Sequence, residues 1–366
     1  MLARRQVDLA QIAAVGFDLD HTLAEYDDAA VNALACAETV DRLVDAGHER
    51  ARFAAAYDDA AFPRGLVFDL SRGALLKLDA HGRVLRARRA GRWLTPAQTA
   101  RVYRGDSDRP WPGADAAPAL LSPFDAPAGY LFEALAAPPT PAPAALPRLH
   151  AEVRAALDRT HVAGAFKPAV ARDLAAYVRP LSFRVEALAR WRAAGKSLFV
   201  LTNSDADYTV AVLDHLFPGG AWRALFDVVV ASAGKPAFFA RGEGCASAGG
   251  CLVTGGGAAH VESLLGARGA AVLYAGDNPE ADMDGAQRMG WRTVAVARER
   301  AEAARDSGVA SSWGDPLLDA GRATWLAARL ARADLVCARA ADVALLQPAA
   351  RLVPARAGDA AGLDWP

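Results

Sequence analysis

Apolar positions along this chain follow two periodicities, and the switching between them sets out the fold. Short continuous apolar runs occur at Ala13 to Phe17, in "KSLFVL" (196–201) and in "AAVLYAG" (270–276). The second run leads into Ser204 or Asp205 as a helix N-cap, then Val210, Leu213 and Leu216 at helical spacing. The third reaches Asp277; Pro279 suits a first helical turn, Gly290 stops the helix, and another strand follows. Strands apolar on both faces, alternating with helices, predict an α/β fold around a parallel sheet. Such sheets bind ligands at the carboxyl ends of their strands. Asp18, Thr202 and Asp277 all stand at such ends.

Between the first two of these units lies an insertion of roughly 170 residues. Its segment 62–89, "FPRGLVFDLSRGALLKLDAHGRVLRARR", alternates and turns at Gly73 and at His81-Gly82, which predicts β-hairpins. Helices are predicted around "AGYLFEALA" (128–136) and "LHAEVRAALDRTHVAG" (149–164). The proline-rich link 137–147 reads as an extended surface loop. The tail from 301 reads as helical, most clearly over 321–346, and no internal repeat is visible. The expected organisation is a core of 1–48 and 180–300, an inserted α+β cap of 49–179, and a helical extension of 301–366 packed on the core.

At 366 residues the chain is long enough for roughly two domains. Its hydrophobic fraction of 53% owes much to alanine, so the core is adequate rather than greasy. A net charge of -1, without a basic block carrying interleaved aromatics, argues against a nucleic-acid partner. The run "RVLRARRAGR" (83–92) reads as a solvated strand edge. Cys36, Cys245, Cys251 and Cys337 are too few for a disulfide framework. Cys245 and Cys251 share a glycine-rich loop whose spacing fits no zinc pattern, leaving a local disulfide or chance thiols. Two arginines precede the first apolar run, as in a signal peptide, but Asp8 and Gln11 interrupt it. No window of ~18 apolar residues predicts a membrane span. The expectation is a soluble, cytoplasmic protein of a reducing compartment.

Asp18 and Asp20 end a buried strand one residue apart. Like charges that close call for a cation or a chemical task. The segment "DLDHTL" (18–23) resembles the D-x-D-x-T motif of the haloacid dehalogenase-like hydrolases. The resemblance implies a Rossmann-like core in which Asp18 is the nucleophile for a phosphoryl group. Asp20 would protonate the leaving oxygen and then activate water. Magnesium is the implied cofactor, resting on Asp18, the Asp20 carbonyl and Asp277, with Asp282 behind its waters. A hard, oxygen-seeking cation suits a weak carboxylate nucleophile facing a phosphate. Thr202, Asn203 and Lys235 would hold the phosphoryl oxygens, the first two at a helix N-terminus that favours anions. Taken singly, Asp277 and Asp282 are acids favoured by a helix dipole, and Lys235 is a surface lysine in a chain where lysine is rare. Four motifs in order make the set specific.

The resemblance narrows with "VGFDLDHTLAEY", "FPRGLVFD", "LTNSDADYT", "GKPAFF" and "AAVLYAGDNPEAD". Together with "RADLVCARAADVALLQP" near the C-terminus, these look like the cytosolic purine 5′-nucleotidases preferring IMP and GMP, and their nucleotidase-domain-containing relatives. That family reads its base with a cap helix and a stacking phenylalanine, which implies Arg154, Asp158, His161, Lys167 and Phe124 here. On spacing alone, Arg154 and Asp158 are an i, i+4 ion pair on an exposed helix; beside the resemblance they read as base recognition. The chain departs from the family at "GDN" in place of "GDH" and at Glu280, where an apolar or aromatic residue is usual. The expected activity is magnesium-dependent hydrolysis of purine nucleoside 5′-monophosphates, with nucleoside phosphotransfer as a family side reaction. A phosphatase for a sugar phosphate or pyrimidine nucleotide, or a weakly active interaction protein on the same fold, are the alternatives. The resemblance also implies a homodimer or homotetramer.

Overall fold

In the computed structural model, residues 1–103, 110–111, 117–139, 141–181, 185–297 and 325–354 are described. Their contacts divide the chain into two compact units. One comprises the described residues of Met1–Tyr26, Val178–Asp319 and Arg329–Pro366, the other those of Asp27–Tyr177 and Ala320–Ala328.

The first unit is built on a nine-stranded sheet. From one edge its strands are Leu2–Ala3, Leu335–Cys337, Arg292–Val296, Val272–Gly276, Ala14–Phe17, Ser197–Leu201, Val228–Ala231, Leu252–Thr254 and Ala246–Gly249. The two edge strands are antiparallel to their neighbours and all other pairings are parallel. Phe17 is in register with Val200 on one side and Ala275 on the other. The residues that follow, Asp18, Leu201-Thr202 and Gly276-Asp277, therefore emerge side by side at the carboxyl edge. The central strands are buried at every position but Ser197, as their apolar runs predict. Gly16 lies under the Phe199 ring, where a Cβ would clash with the ring atoms. Phe199 thereby reaches an aromatic cluster with Tyr274, Trp291 and Phe239.

The second unit contains a four-stranded antiparallel sheet of Leu66–Asp69, Ala74–Leu78, Val84–Arg89 and Arg92–Trp93, the hairpins expected there, with the first two strands buried at every position. Phe68 meets Phe132 of helix Ala126–Ala136 and His150 of helix Leu146–Ala163 edge-on. Helix Asp28–Asp45 also belongs to this unit, capped by Asp27 and joined to helix Leu146–Ala163 by a buried Thr39–Thr160 hydroxyl pair at 3.0 Å.

Three expectations are corrected. The cap begins at Asp27 rather than at 49, because the apolar stripe of helix Asp28–Asp45 (Val31, Ala35, Leu43) is buried among cap helices. The C-terminal region is not wholly helical: Leu335–Cys337 joins the main sheet, and Arg351–Leu352 pairs with Val7–Asp8. Helices there are Trp325–Leu330 and Ala340–Ala344, while 301–324 lies outside the described residues. Within the basic run, Arg88 is not a solvated edge residue; it pairs with Glu133 at 2.8 Å in a nearly buried contact. Cys245 and Cys251 are free thiols. Among the described residues no helix is long and apolar enough to cross a membrane.

Candidate active site

The carboxyl edge of the parallel sheet gathers Asp18, Asp277 and Asp282, with one carboxylate oxygen of each within 4.8 Å of the others and all three residues buried. Lys235 enters from the loop after the Val228–Ala231 strand. Its Nζ donates to Asp18 Oδ1 at 2.8 Å and to Asp282 Oδ1 at 2.6 Å, and lies 3.0 Å from the Leu201 carbonyl. Burial by itself would lower the Lys235 pKa, but Asp18 and Asp282 outweigh it and hold the ammonium above the ordinary lysine value. Asp18 is pushed well above the usual carboxylate range, chiefly by burial; Lys235 pulls it back, while Asp282, Asp277 and Asp20 add to the rise. Three carboxylates against one ammonium leave this pocket negative, the electrostatic condition that a divalent cation relieves. An all-oxygen donor set of this kind suits a hard cation.

Asp282 sits on the wide helical turn Pro279–Asp284, where the Met283 amide reaches back five residues to the Asn278 carbonyl. That turn folds the Asp282 side chain over Gly276, where a Cβ would stand 2.5 Å from its Cγ. Asp282 Oδ2 accepts from the Asn278 amide at 3.0 Å. Asn278 is the N-cap: its side chain accepts from the Glu280 and Ala281 amides.

Asp20 stands apart from the three clustered carboxylates. Its Oδ1 accepts from Tyr26 at 2.7 Å and its Oδ2 from Ser204 at 2.7 Å, with Thr202 Oγ1 at 3.4 Å. Asn203 Nδ2 donates to the Lys235 carbonyl at 3.0 Å, and its Oδ1 accepts from the Lys235 amide at 2.7 Å. With its carbonyl and one N–H engaged, the side chain braces the Lys235 backbone, while a carboxamide nitrogen carries a second N–H. Asn203→Ala is expected to lower activity and to cost about 1–2 kcal/mol of stability, read by urea unfolding beside phosphate release. An unchanged rate would separate the clamp from function.

In the second unit the structure brings most of the other set together. Arg154 donates to Asp125 at 2.6 Å and to Asp158 at 3.2 Å. Arg154, Asp158 and His161 share one face of helix Leu146–Ala163, and the Phe124 ring lies 5.5 Å from that of His161. His161 Nδ1 is 3.1 Å from the Leu157 carbonyl; burial lowers its pKa, Asp125 opposes this, and Arg154 and Lys167 add to the fall. Lys167 follows on helix Phe166–Arg172.

Sequence reasoning missed Tyr274, Ser204, Tyr26, Tyr208 and Asp125. Tyr274 donates to Asp282 Oδ1 at 2.9 Å and stands 2.9 Å from Lys235 Nζ. Its signal was available, since a tyrosine within an otherwise apolar buried strand needs a hydroxyl partner.

The sequence pattern of the 5′ nucleotidase family matches residues 1–305. The chain belongs to this family. It is 27% identical over 329 residues to a 5′-nucleotidase domain-containing protein of Dictyostelium discoideum, covering 80% of this chain and 54% of that one. It is 28% identical over 265 residues to 5′-nucleotidase domain-containing protein 1 of Homo sapiens, covering 64% and 55%. With protein 2 of that name from Rattus norvegicus, identity is 26% over 249 residues, covering 65% and 45%. The chain thus spans about half the length of the curated relatives it matches.

Proposed function

We propose that this chain is a magnesium-dependent 5′-nucleotidase acting on purine nucleoside monophosphates through an aspartyl phosphate. The observation that carries the reading is the buried Asp18 carboxylate at a central strand end, ion-paired to Lys235 and beside Asp277 and Asp282. A carboxylate in such company is held in place yet underneutralised, as a nucleophile for a phosphate ester needs to be. Asp18, Asp277 and the Asp20 carbonyl would hold the cation, with Asp282 behind them. When bound, it supplies charge neutralisation for the phosphoryl oxygens.

An Asp18 oxygen forms a bond to phosphorus as the bond to the 5′-oxygen breaks, and that oxygen takes its electron pair and a proton from the Asp20 carboxyl. Water then attacks phosphorus, returns a proton to Asp20, and the bond to Asp18 breaks to release phosphate. Lys235 offsets the charge on the transferring group, and Thr202 offers its hydroxyl. Asn203 braces the Lys235 backbone beside the phosphoryl site.

Support for a nucleoside substrate comes from the cap. Phe124 offers a flat apolar face beside His161, and Arg154, Asp125 and Asp158 form a polar edge suited to a base with both donors and acceptors. Phosphate release should be measured from IMP, GMP, AMP, UMP, CMP and glucose 6-phosphate, with and without magnesium, for the protein and for Arg154→Ala. The expected result is preference for IMP or GMP, with KM for that nucleotide raised about tenfold in the variant. Preferred release from glucose 6-phosphate or a pyrimidine nucleotide, unaffected by Arg154→Ala, would discard the base-reading assignment. Absence of magnesium-dependent release from every ester would favour an interaction protein that has kept the pocket.

A further inference from the structure

Asp20 is held by a hydrogen-bonded chain that the proposed chemistry has not used. Tyr26 lies six residues on, in a short strand paired through Tyr26 to Val178, and its ring is fully buried. Its hydroxyl donates to Asp20 Oδ1 at 2.7 Å and stands 3.0 Å from the hydroxyl of Tyr208, in the first turn of helix Ala206–Leu216. Ser204, just before that helix, donates to the other Asp20 oxygen. We propose that Tyr26, backed by Tyr208, is a positioning residue that fixes the Asp20 carboxyl for proton delivery to the leaving oxygen of the substrate.

The geometry carries this. A half-buried aspartate at a strand end could turn about two side-chain bonds. Donors of fixed position on each oxygen remove that freedom, because the carboxyl plane is defined by both. A carboxylate oxygen has two lone-pair directions; Oδ2 faces Ser204 and, at 3.4 Å, Thr202, whereas Oδ1 faces Tyr26 and keeps a direction open for the travelling proton. Tyr26 is a rigid holder, with two side-chain torsions and a buried ring. Its hydroxyl has a single proton. With that proton committed to Asp20, the Tyr208 hydroxyl must donate across the 3.0 Å gap, giving the chain a direction: Tyr208 to Tyr26 to Asp20. A phenol keeps its proton at neutral pH, so each hydroxyl stays a donor there. No tyrosine proton is transferred; the proton that reaches the ester comes from Asp20.

The inference rests on the phosphomonoesterase reading, and the leaving group separates the two. An alkoxide such as a nucleoside 5′-oxygen must be protonated as it departs, whereas p-nitrophenolate leaves as an anion near neutral pH. First-turnover release should be measured with magnesium from the nucleoside monophosphate turned over fastest and from p-nitrophenyl phosphate, for Tyr26→Phe, Tyr208→Phe and Asp20→Asn. Tyr26→Phe is expected to slow nucleoside release about tenfold or more and p-nitrophenol release less than about threefold. Tyr208→Phe, which keeps the Tyr26 donor, should show the same selectivity at smaller size, and serves if Tyr26→Phe does not fold. Equal losses on both esters, or none on either, beside a selective Asp20→Asn overturn the positioning role alone. An Asp20→Asn protein that treats the two esters alike removes the acid itself, and the positioning role falls with it.

Discussion

Asp18→Asn is expected to abolish phosphate release, by about 10^3-fold or more, while leaving the metal-free protein at least as stable at neutral pH. The loss follows from chemistry: an amide oxygen can still accept from Lys235 but cannot become an acyl phosphate. The stability follows from the direction of the Asp18 shift. Its folded pKa is raised well above the ordinary value of 3.8, mainly by burial. A carboxyl so raised binds its proton more tightly folded than unfolded, so its ionisation works against the fold. That penalty begins as pH rises through the unfolded value and is complete above the folded one. Asn carries no such penalty. In chelator, the variant's advantage in urea midpoint should therefore be present at pH 7 and absent below about pH 4. Added magnesium should stabilise the parent more than the variant, since one of three clustered carboxylates is gone. Activity within tenfold of the parent would remove Asp18 as nucleophile. A drop in neutral stability would mean that its contact with Lys235 outweighs the burial penalty.

The features that were legible in the sequence are those written locally. An apolar strand followed by a carboxylate, by Thr202 or by "GD", then by an N-cap, specifies a strand end whatever surrounds it. Parallel pairing then sets Asp18 and Asp277 side by side, because Phe17 and Ala275 are in register. Choices made by distant partners were not legible. The apolar stripe of helix Asp28–Asp45 reads the same whichever body buries it. Leu335–Cys337 is too short to show a period, and it is a strand because Arg292–Val296 offers it an open parallel edge. Asn203 announces a turn after Thr202, but its amide is claimed by a backbone 32 residues away. Asp125 was overlooked beside Phe124 because its partner, Arg154, is on another helix.

Lys235→Met should have the largest effect on stability. Its side chain is 3% exposed and lies between Asp18 and Asp282, themselves 9% and 1% exposed. Methionine keeps much of the volume and removes the charge, which leaves buried carboxylates facing one another. Removing one partner of such a pair costs about 3–5 kcal/mol, because the remaining charge is neither solvated nor neutralised. Tyr274 still donates to Asp282, and the Asn278 amide still reaches its other oxygen. Asp18 has less to fall back on among the described contacts, so the loss should be felt mainly there. Activity should fall with stability, since among the described ion pairs Lys235 is the cation on the Asp18 carboxylate that would meet the transferring group. The double variant Lys235→Met/Asp282→Asn tests the cause. If charge imbalance is the source, neutralising Asp282 should restore a large part of the urea midpoint in chelator while activity stays absent. If lost packing is the source, the second change should add to the damage, since Asp282 Oδ1 and Oδ2 both hold donors in place. A single Lys235→Met protein within about 1 kcal/mol of the parent would show that the aspartates take up protons instead of standing charged.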